Sequence, residues 1–182
     1  MLNVNLDQFE SWEEFMPIVR ALDPGGDYIG KAVGSTNQRM AQWMLTRSVR
    51  GLSARLGIPQ KVLRRRLKRF RVQGYIHGAK VWYGLDAIPF TDLRPVEDRG
   101  GVVTRDGGYY ERGAFVTASR KTGRMRVLKR QGRERLPVED VEANIYQQAM
   151  DFIADHIMGT PEFEAQYMRV LERELKWRTR TI

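Results

Sequence analysis

From residue 60 to residue 71 the sequence reads QKVLRRRLKRFR, in which seven of twelve residues are Lys or Arg. Leu63, Leu67 and Phe70 recur at spacings of four and three, which predicts a helix with one apolar face over residues 59–72. Its other faces would carry cations that repel one another, so a polyanion or an acidic partner would stabilise the helix. The candidate contact residues in this basic helix are Lys61, Arg64, Arg65, Arg66, Lys68, Arg69 and Arg71.

The composition of the whole chain narrows the class of protein. Its 182 residues carry a formal net charge of +9, which favours binding to nucleic acid, an anionic membrane or an acidic protein surface. The sequence contains no cysteine, and this excludes disulfides, thiolate catalysis and cysteine-based zinc sites. No apolar run approaches the roughly 20 residues that span a bilayer, and the acidic N-terminus is unlike a signal peptide. We therefore expect a soluble protein that is made in a cytoplasm.

Hydrophobic spacing and helix breakers predict two helices before the basic one. The first covers residues 6–22 and the second residues 35–56, ended by Gly57. Pro59 then lies where a first-turn proline is tolerated and begins the basic helix.

Alternating and β-branched residues predict a central sheet. The expected strands cover residues 75–83, 86–90, 102–104, 114–119 and 124–128, with a hairpin turn at residues 121–123 and an exposed loop over residues 92–101. Pro137 should end this β region. Helices are predicted over residues 138–157, with Glu139, Asp140 and Glu142 in the first turn, and over residues 161–178.

These elements together predict an α+β fold with N-terminal helices, a central antiparallel β-sheet with a hairpin, and C-terminal helices. The expected regions are 1–73, 74–137 and 138–182, with the last two forming one compact unit.

Residues 52–71 also have the spacing of a helix-turn-helix, in which the second helix enters the major groove of DNA. That helix offers almost only Arg and Lys, which contact phosphates as readily as guanine edges. A helical hairpin that happens to be basic fits the same pattern. Non-specific DNA contact is compatible with both interpretations.

A second basic cluster follows the predicted hairpin, where alternate residues share a face and part of the charge would form a stripe. A solvated edge that its charge protects from aggregation is an equally good interpretation. The candidate contact residues of this cluster are Arg124, Arg126, Lys129, Arg130 and Arg133.

The sequence gives little support for catalysis. His77 and His156 are the only histidines, and neither has a companion at metal-ligand spacing. We expect His156 to complement the C-terminal dipole of its helix. The Gly-Gly pairs lack the context and the lysine of a phosphate-binding loop. We predict no enzyme activity, no metal and no cofactor.

Aromatic side chains supply candidate contacts between subunits. Large aromatic residues serve as core or interface anchors more often than as ligand platforms. The candidate interface residues are Trp12, Phe15, Trp82, Phe115 and Trp177.

From about residue 37 to the end, the order of features resembles the phage minor tail protein Z family. The matching pieces are KVLRRRLKRFR (61–71), AKVWYGLDAIP (79–89), GAFV (113–116) and RQGRERLPVEDV (130–141). The resemblance depends on their order and spacing, and the first thirty-odd residues are outside it.

This resemblance implies a structural tail-completion protein at the head-proximal end of the tail of a long-tailed phage or prophage. Such a protein would be present in the virion, and in the host cytoplasm during assembly. It would form a homo-oligomeric ring, contact tail terminator, tail-tube or neck and connector proteins, and touch genomic DNA without reading its sequence. The family has no catalytic motif to carry over, and it favours a non-contractile tail.

Overall fold

The computed structural model of the chain describes residues 2–5, 27–72, 78–105 and 108–179. Its helices are α1 (Asp27–Leu56), α2 (Gln60–Arg66), α3 (Tyr146–His156) and α4 (Pro161–Thr179), with a 3-10 turn at Phe90–Leu93. Its strands are β1 (Leu2–Asn5), β2 (Leu67–Arg71), β3 (Ala79–Tyr83), β4 (Ile88–Pro89), β5 (Pro95–Asp98), β6 (Gly101–Thr104), β7 (Tyr110–Arg112), β8 (Ala114–Ala118), β9 (Met125–Arg130), β10 (Val138–Asp140) and β11 (Glu142–Ala143). All described strand pairs are antiparallel, which confirms the predicted α+β class.

Several predictions fall on residues outside this description. They are the helix at residues 6–22 with Trp12 and Phe15, and the start of the predicted strand at residues 75–77 with His77.

The chain divides into two compact units, each assembled from segments that are distant in sequence. The first comprises Met1–Val49, Leu67–Gly84 and Ile153–Ile182, and the second comprises Arg50–Arg66 and Leu85–Phe152. Each unit draws residues from all three regions predicted from the sequence, 1–73, 74–137 and 138–182.

In the first unit, a sheet of order β1-β3-β2 has one face buried and the other turned outward. Val81 and Tyr83 of β3 are buried, as are Met40 and Met44 of α1. The Tyr83 hydroxyl lies 3.1 Å from the Ser48 hydroxyl, so this buried polar pair is satisfied.

Helix α4 belongs to the same unit and is held to α1 by polar and aromatic contacts. The Tyr167 hydroxyl donates to Asn37 Oδ1 at 3.1 Å, and the rings of Phe163 and Trp43 meet edge to face at 6.0 Å. Thr160 caps the helix through its hydroxyl, which accepts from the Phe163 N–H. The predicted helix over residues 161–178 is confirmed.

The second unit contains three small antiparallel sheets, of orders β10-β9-β8, β5-β6-β7 and β11-β4. Strands β8 and β9 form the predicted hairpin, closed by a bond from the Ser119 N–H to the Arg124 carbonyl and by Gly123 at φ 65. Val102, Val127, Ile88, Leu63 and Ile145 contribute to the core of this unit.

The predicted basic helix is wrong in its second half. Helix α2 ends at Arg66 and the next five residues form β2, paired along its length with β3. Like charges at i and i+4 destabilise a helix, whereas an extended strand separates them and lets the backbone pair with β3. Leu63 and Leu67 are buried as predicted, but Phe70 is 49% exposed.

The predicted helix over residues 138–157 also begins too early. Residues 138–140 and 142–143 form β10 and β11, so Glu139, Asp140 and Glu142 are strand residues and Pro137 does not end the β region. Asn144 supplies the actual helix start, because its side-chain oxygen accepts from the Tyr146 N–H at 3.1 Å.

Two smaller corrections concern boundaries. The predicted loop over residues 92–101 contains strand β5, and the helix predicted over residues 35–56 begins eight residues earlier, at Asp27. No helix within the described residues is long and apolar enough to cross a membrane.

Candidate nucleic-acid interface

Helix α2 presents the first group of predicted contact residues. Val62 and Leu63 are buried, and Lys61, Arg64 and Arg65 are exposed on the remaining faces. Arg64 donates to the neutral Gln60 side chain at 2.9 Å, so its charge is not compensated by that contact. These three cations are accessible to an anionic partner.

Arg66 differs from its neighbours. Its guanidinium donates to the carbonyl of Asp86 at 2.8 Å and to that of Ala87 at 3.2 Å. The side chain is half-buried and ties the end of α2 to the segment before β4. Its main role is structural, although the positive charge is retained.

Strand β2 and its partner β3 place cations and aromatic rings on one outward face. Lys68 lies directly opposite Trp82, and Phe70 lies directly opposite Lys80. Residues opposite one another in an antiparallel pair share a face, so these four side chains form one surface, here called the basic sheet face. The other face of β3 carries the buried Val81 and Tyr83.

No acidic group in the part of the chain that the structure describes compensates the basic sheet face. Lys68 and Lys80 make no ion pair or side-chain hydrogen bond with any residue that the structure describes. Phe70 is half exposed, and Trp82 is partly exposed beside Lys68. Cations next to accessible aromatic rings are the residue types that contact phosphates and bases in proteins that bind single-stranded nucleic acid.

The other two cations of β2 point to the opposite side at the sheet edge. Arg69 and Arg71 are exposed, and Arg69 donates weakly to the Gln38 carbonyl at 3.4 Å. The seven cations that the sequence placed around one helix are therefore distributed over α2 and two faces of a strand.

The hairpin cluster has a different electrostatic setting. Arg126 forms a bidentate pair with Asp140, with Nε–Oδ1 and Nη2–Oδ2 distances of 3.0 and 2.6 Å. Lys129 is bonded to Glu111. Hydrogen bonding to these carboxylates, reinforced by charge attraction, raises the pKa of Arg126 and of Lys129. Both cations already have anionic partners in the second unit, Arg126 within its own sheet and Lys129 on strand β7 of the neighbouring sheet.

Of the remaining hairpin candidates, one contacts an aromatic ring and two are exposed. Arg130 lies over the ring of Phe115 at 5.4 Å, so this candidate interface residue is partly covered by a cation from its own chain. Arg124 and Arg133 are exposed. Trp177, another candidate interface residue, is 65% exposed on α4.

The structure offers no metal site among residues 2–5, 27–72, 78–105 and 108–179, where no three acidic or histidine side chains are grouped to hold an ion. His156 is the last residue of α3, which confirms its predicted position at a helix C-terminus.

One feature of the sequence explains the contrast between the two basic surfaces. From Tyr28 to Leu85 there are 13 Lys and Arg and no Asp or Glu. Of the 31 Lys and Arg in the chain, 18 therefore lie elsewhere, together with all 22 Asp and Glu. The entire positive excess comes from residues 28–85, which include Lys80, a candidate contact residue that helical spacing around residue 66 does not reveal.

Comparison of the chain with protein-family models, curated proteins and solved structures finds no match. A function is therefore inferred from the geometry of the basic surfaces and from the family resemblance of the four segments between residues 61 and 141.

Proposed function

We propose that this protein is a structural tail-completion (minor tail) protein of a long-tailed phage or prophage. It acts at the head-proximal end of the tail, as part of the head-tail junction. The order of the four sequence segments between residues 61 and 141 supports this role. In this proposal the protein is a virion component, it passes through the host cytoplasm during assembly, and it catalyses no reaction.

The observation that carries the proposal is the basic sheet face, whose lysines have no acidic partner among the described residues. A subunit beside a DNA conduit must contact phosphates of any sequence, which requires cations without an array of base-reading side chains. Lys68 and Lys80 meet this need, because no described acidic residue pairs with them. Lys61, Arg64 and Arg65 on α2 add accessible charge of the same kind.

The same role requires surfaces for neighbours. A subunit of a closed ring uses two different patches, one for each adjacent copy. Trp177 and Met168 are exposed on α4, at 65% and 59%. They are nine residues apart and so lie on opposite sides of the helix, where each supplies apolar area for a different contact. Tail terminator, tail-tube or connector proteins would meet other faces of the ring.

A helix-turn-helix regulator remains the alternative hypothesis for residues 52–71. Helix α2 has seven residues and is about 10 Å long at the usual helical rise. It ends where β2 begins, so Lys68, Arg69 and Arg71 are not on a recognition helix. The observed geometry thus gives this alternative no specific support.

The proposal is tested in the phage or prophage that encodes the chain. Deleting the gene should leave DNA-filled heads and separate tails, and a plasmid copy of the gene should restore joined particles. Mass spectrometry of purified particles should detect the chain, and antibody labelling should mark the head-proximal end of the tail. Normal particles from the deletion strain, or particles without the chain, would refute the structural role.

DNA binding separates the two hypotheses in solution. A tail protein should bind unrelated duplexes with affinities that agree within about threefold at fixed salt, whereas a regulator should prefer one sequence by about a thousandfold or more. Anisotropy titrations against a pool of random duplexes, followed by sequencing of the bound fraction, measure this preference. Enrichment of one motif would favour the regulator.

A further inference from the structure

We infer that the first unit carries a second, discrete binding site, a pocket for a phosphate-type oxyanion. The cavity has a volume of about 420 Å³. Residues of α1, the last residue of β2 and the end of α4 surround it, and all belong to the first unit. Its polar lining residues are Lys31, Ser35, Gln38, Arg39, Arg71 and Arg178.

The lining has a strongly biased charge. Four of these six side chains are cationic, and none of the described lining residues is acidic. Residues 31, 35, 38 and 39 follow the i, i+4, i+7 and i+8 spacing that places them on one side of α1. Arg71 and Arg178 close the pocket from other elements. Glu174, behind the lining, offsets part of this charge through Arg39 and Arg178, and a bound anion would balance the remainder.

Arg178 is fixed in the wall of the pocket. One of its terminal nitrogens donates to the Ser35 hydroxyl at 2.7 Å and to the Lys31 carbonyl at 3.0 Å. Its side chain is 15% exposed. The buried Nε has no hydrogen-bond acceptor in the part of the chain that the structure describes. Burial keeps this Nε out of contact with the cavity, so the rest of the guanidinium group is the part of Arg178 that a ligand can meet.

A buried carboxylate holds the arginines in position without filling the pocket. Glu174 lies 2.8 Å from Arg39 and 3.7 Å from Arg178, and its side chain is 7% exposed. Since it pairs with both guanidinium groups, it restrains their rotation toward a common point. Gln38 is likewise anchored, because its amide donates to the Gly78 carbonyl at 3.1 Å.

The donor set identifies the class of ligand. Guanidinium, ammonium and hydroxyl groups together match an oxyanion with several oxygens, and arginine forks suit phosphate in particular. No aromatic side chain of the described residues lines the pocket, so none of them would stack on a base or sugar. The volume lies within the usual range for small-ligand sites and accommodates a phosphate with an attached group. Free phosphate compounds and DNA phosphates share this chemistry.

Pyrophosphate is the first probe, titrated into the full-length protein by calorimetry in a buffer of low ionic strength without phosphate or sulfate. We expect saturable binding. Arg71→Ala should weaken it about tenfold, since a lost charged hydrogen bond costs on that scale. The Arg71 side chain makes no hydrogen bond or ion pair with the described residues, so its truncation should leave the fold intact. Arg71→Lys should recover part of the affinity.

The matched control is Arg133→Ala, which removes the same charge from an exposed residue of the second unit. It should change pyrophosphate affinity less than twofold. Equal losses in Arg71→Ala and Arg133→Ala would overturn the pocket, because they would indicate a general charge effect. Absence of saturable binding to the wild-type protein would overturn it as well.

Competition identifies the source of the phosphate. Displacement of pyrophosphate by a 5′-phosphorylated oligonucleotide, but not by the unphosphorylated one, would support binding of a DNA end. Equal displacement by both would support a backbone phosphate, and displacement by neither would support a small phosphate compound. The inference does not depend on the tail role: loss of pyrophosphate binding and absence from virions are separate failures.

Discussion

The basic sheet face of the first unit and the β8-β9 hairpin of the second are both antiparallel and rich in cations, but their charges have different settings. Lys68 and Lys80 have no anionic partner among the described residues, whereas Arg126 and Lys129 are paired with Asp140 and Glu111. The pairing also raises the pKa of the two hairpin cations. A count of Lys and Arg does not distinguish these surfaces.

The difference shows that the positions of the acids determine which cations are available. An exposed pair contributes little to stability, but it occupies a cation that would otherwise meet a phosphate. A paired cation that binds DNA must exchange its carboxylate partner for a phosphate. It therefore gains less binding free energy than a lysine that has no partner. We therefore expect the sheet face to dominate binding to polyanions.

Charge reversal on the sheet face should have the largest effect. Lys68→Glu with Lys80→Glu replaces two cations by anions and should weaken duplex binding at low salt about a hundredfold, if each contact is worth about 1.4 kcal/mol. Anisotropy with a labelled duplex measures the loss. The matched control is Arg120→Glu with Lys121→Glu at the exposed hairpin turn. Equal losses in both double variants would mean that only net charge matters.

Removing the two acids that pair with the hairpin cations should make those cations as available to phosphate as the cations of the sheet face. In Asp140→Asn with Glu111→Gln, Arg126 and Lys129 lose their partners and become available to phosphate. Duplex affinity should rise about five- to tenfold at low salt, and the gain should disappear at high salt because exposed charges are screened. The control is Asp155→Asn with Glu164→Gln, two exposed acids that have no ion pair among the described residues. An equal gain from the control would remove the special role of the pairs.

The burial of Tyr83 on the inner face of the first unit's sheet can be tested through the pH dependence of stability. Burial raises the pKa of its hydroxyl to about 12, partly opposed by the hydrogen bond with Ser48. The folded protein therefore favours the neutral phenol. This preference contributes fully to the free energy of unfolding below pH 10, and the contribution is lost as the pH rises from 10 to 12. Within that window, the wild type should lose up to about 1.4 kcal/mol per pH unit more unfolding free energy than Tyr83→Phe.

Tyr83→Phe should also cost about 1 kcal/mol at neutral pH, because the Ser48 hydroxyl loses its partner. Urea unfolding of both proteins from pH 7 to pH 12 measures the two effects. Parallel stability curves above pH 10 would contradict the burial of the Tyr83 hydroxyl.

Local patterns were sufficient for the elements that depend on local signals. Pro161 and the apolar spacing that includes Phe163 and Tyr167 predicted α4, and Gly123 with its neighbours predicted the hairpin turn. The termination of α1 at Leu56 likewise follows from Gly57, which has φ 62. The fold class could therefore be predicted from the sequence.

The basic strand could not be predicted in the same way. Residues 60–71 satisfy a helical period, but pairing with β3, a partner that comes later in the chain, overrides that preference after Arg66. The same cause explains residues 138–143, where β10 pairs with β9. In a short segment, the spacing of apolar residues does not distinguish a helix from a strand when pairing with a distant segment determines the structure.

The candidate site was predicted in part. Lys68 and Trp82 were both identified, but not as neighbours, because their adjacency depends on the register of β2 and β3. Lys80 and Phe70 were missed as contact residues, and the absence of acids from residue 28 to residue 85 was the available signal. Arg178 reaches the phosphate pocket from the other end of the chain, which no local pattern indicates.

The central claim is that the sheet-face cations, which have no acidic partner among the described residues, contact DNA, and that the paired cations of the hairpin do not. The most direct measurement is the salt dependence of duplex affinity for Lys68→Ala with Lys80→Ala and for Arg126→Ala with Lys129→Ala, which remove the same net charge. The slope of log affinity against log salt should decrease in magnitude by about 1.8 in the first variant and by less than about 0.5 in the second. Equal decreases, or the larger decrease in the hairpin variant, would contradict the account.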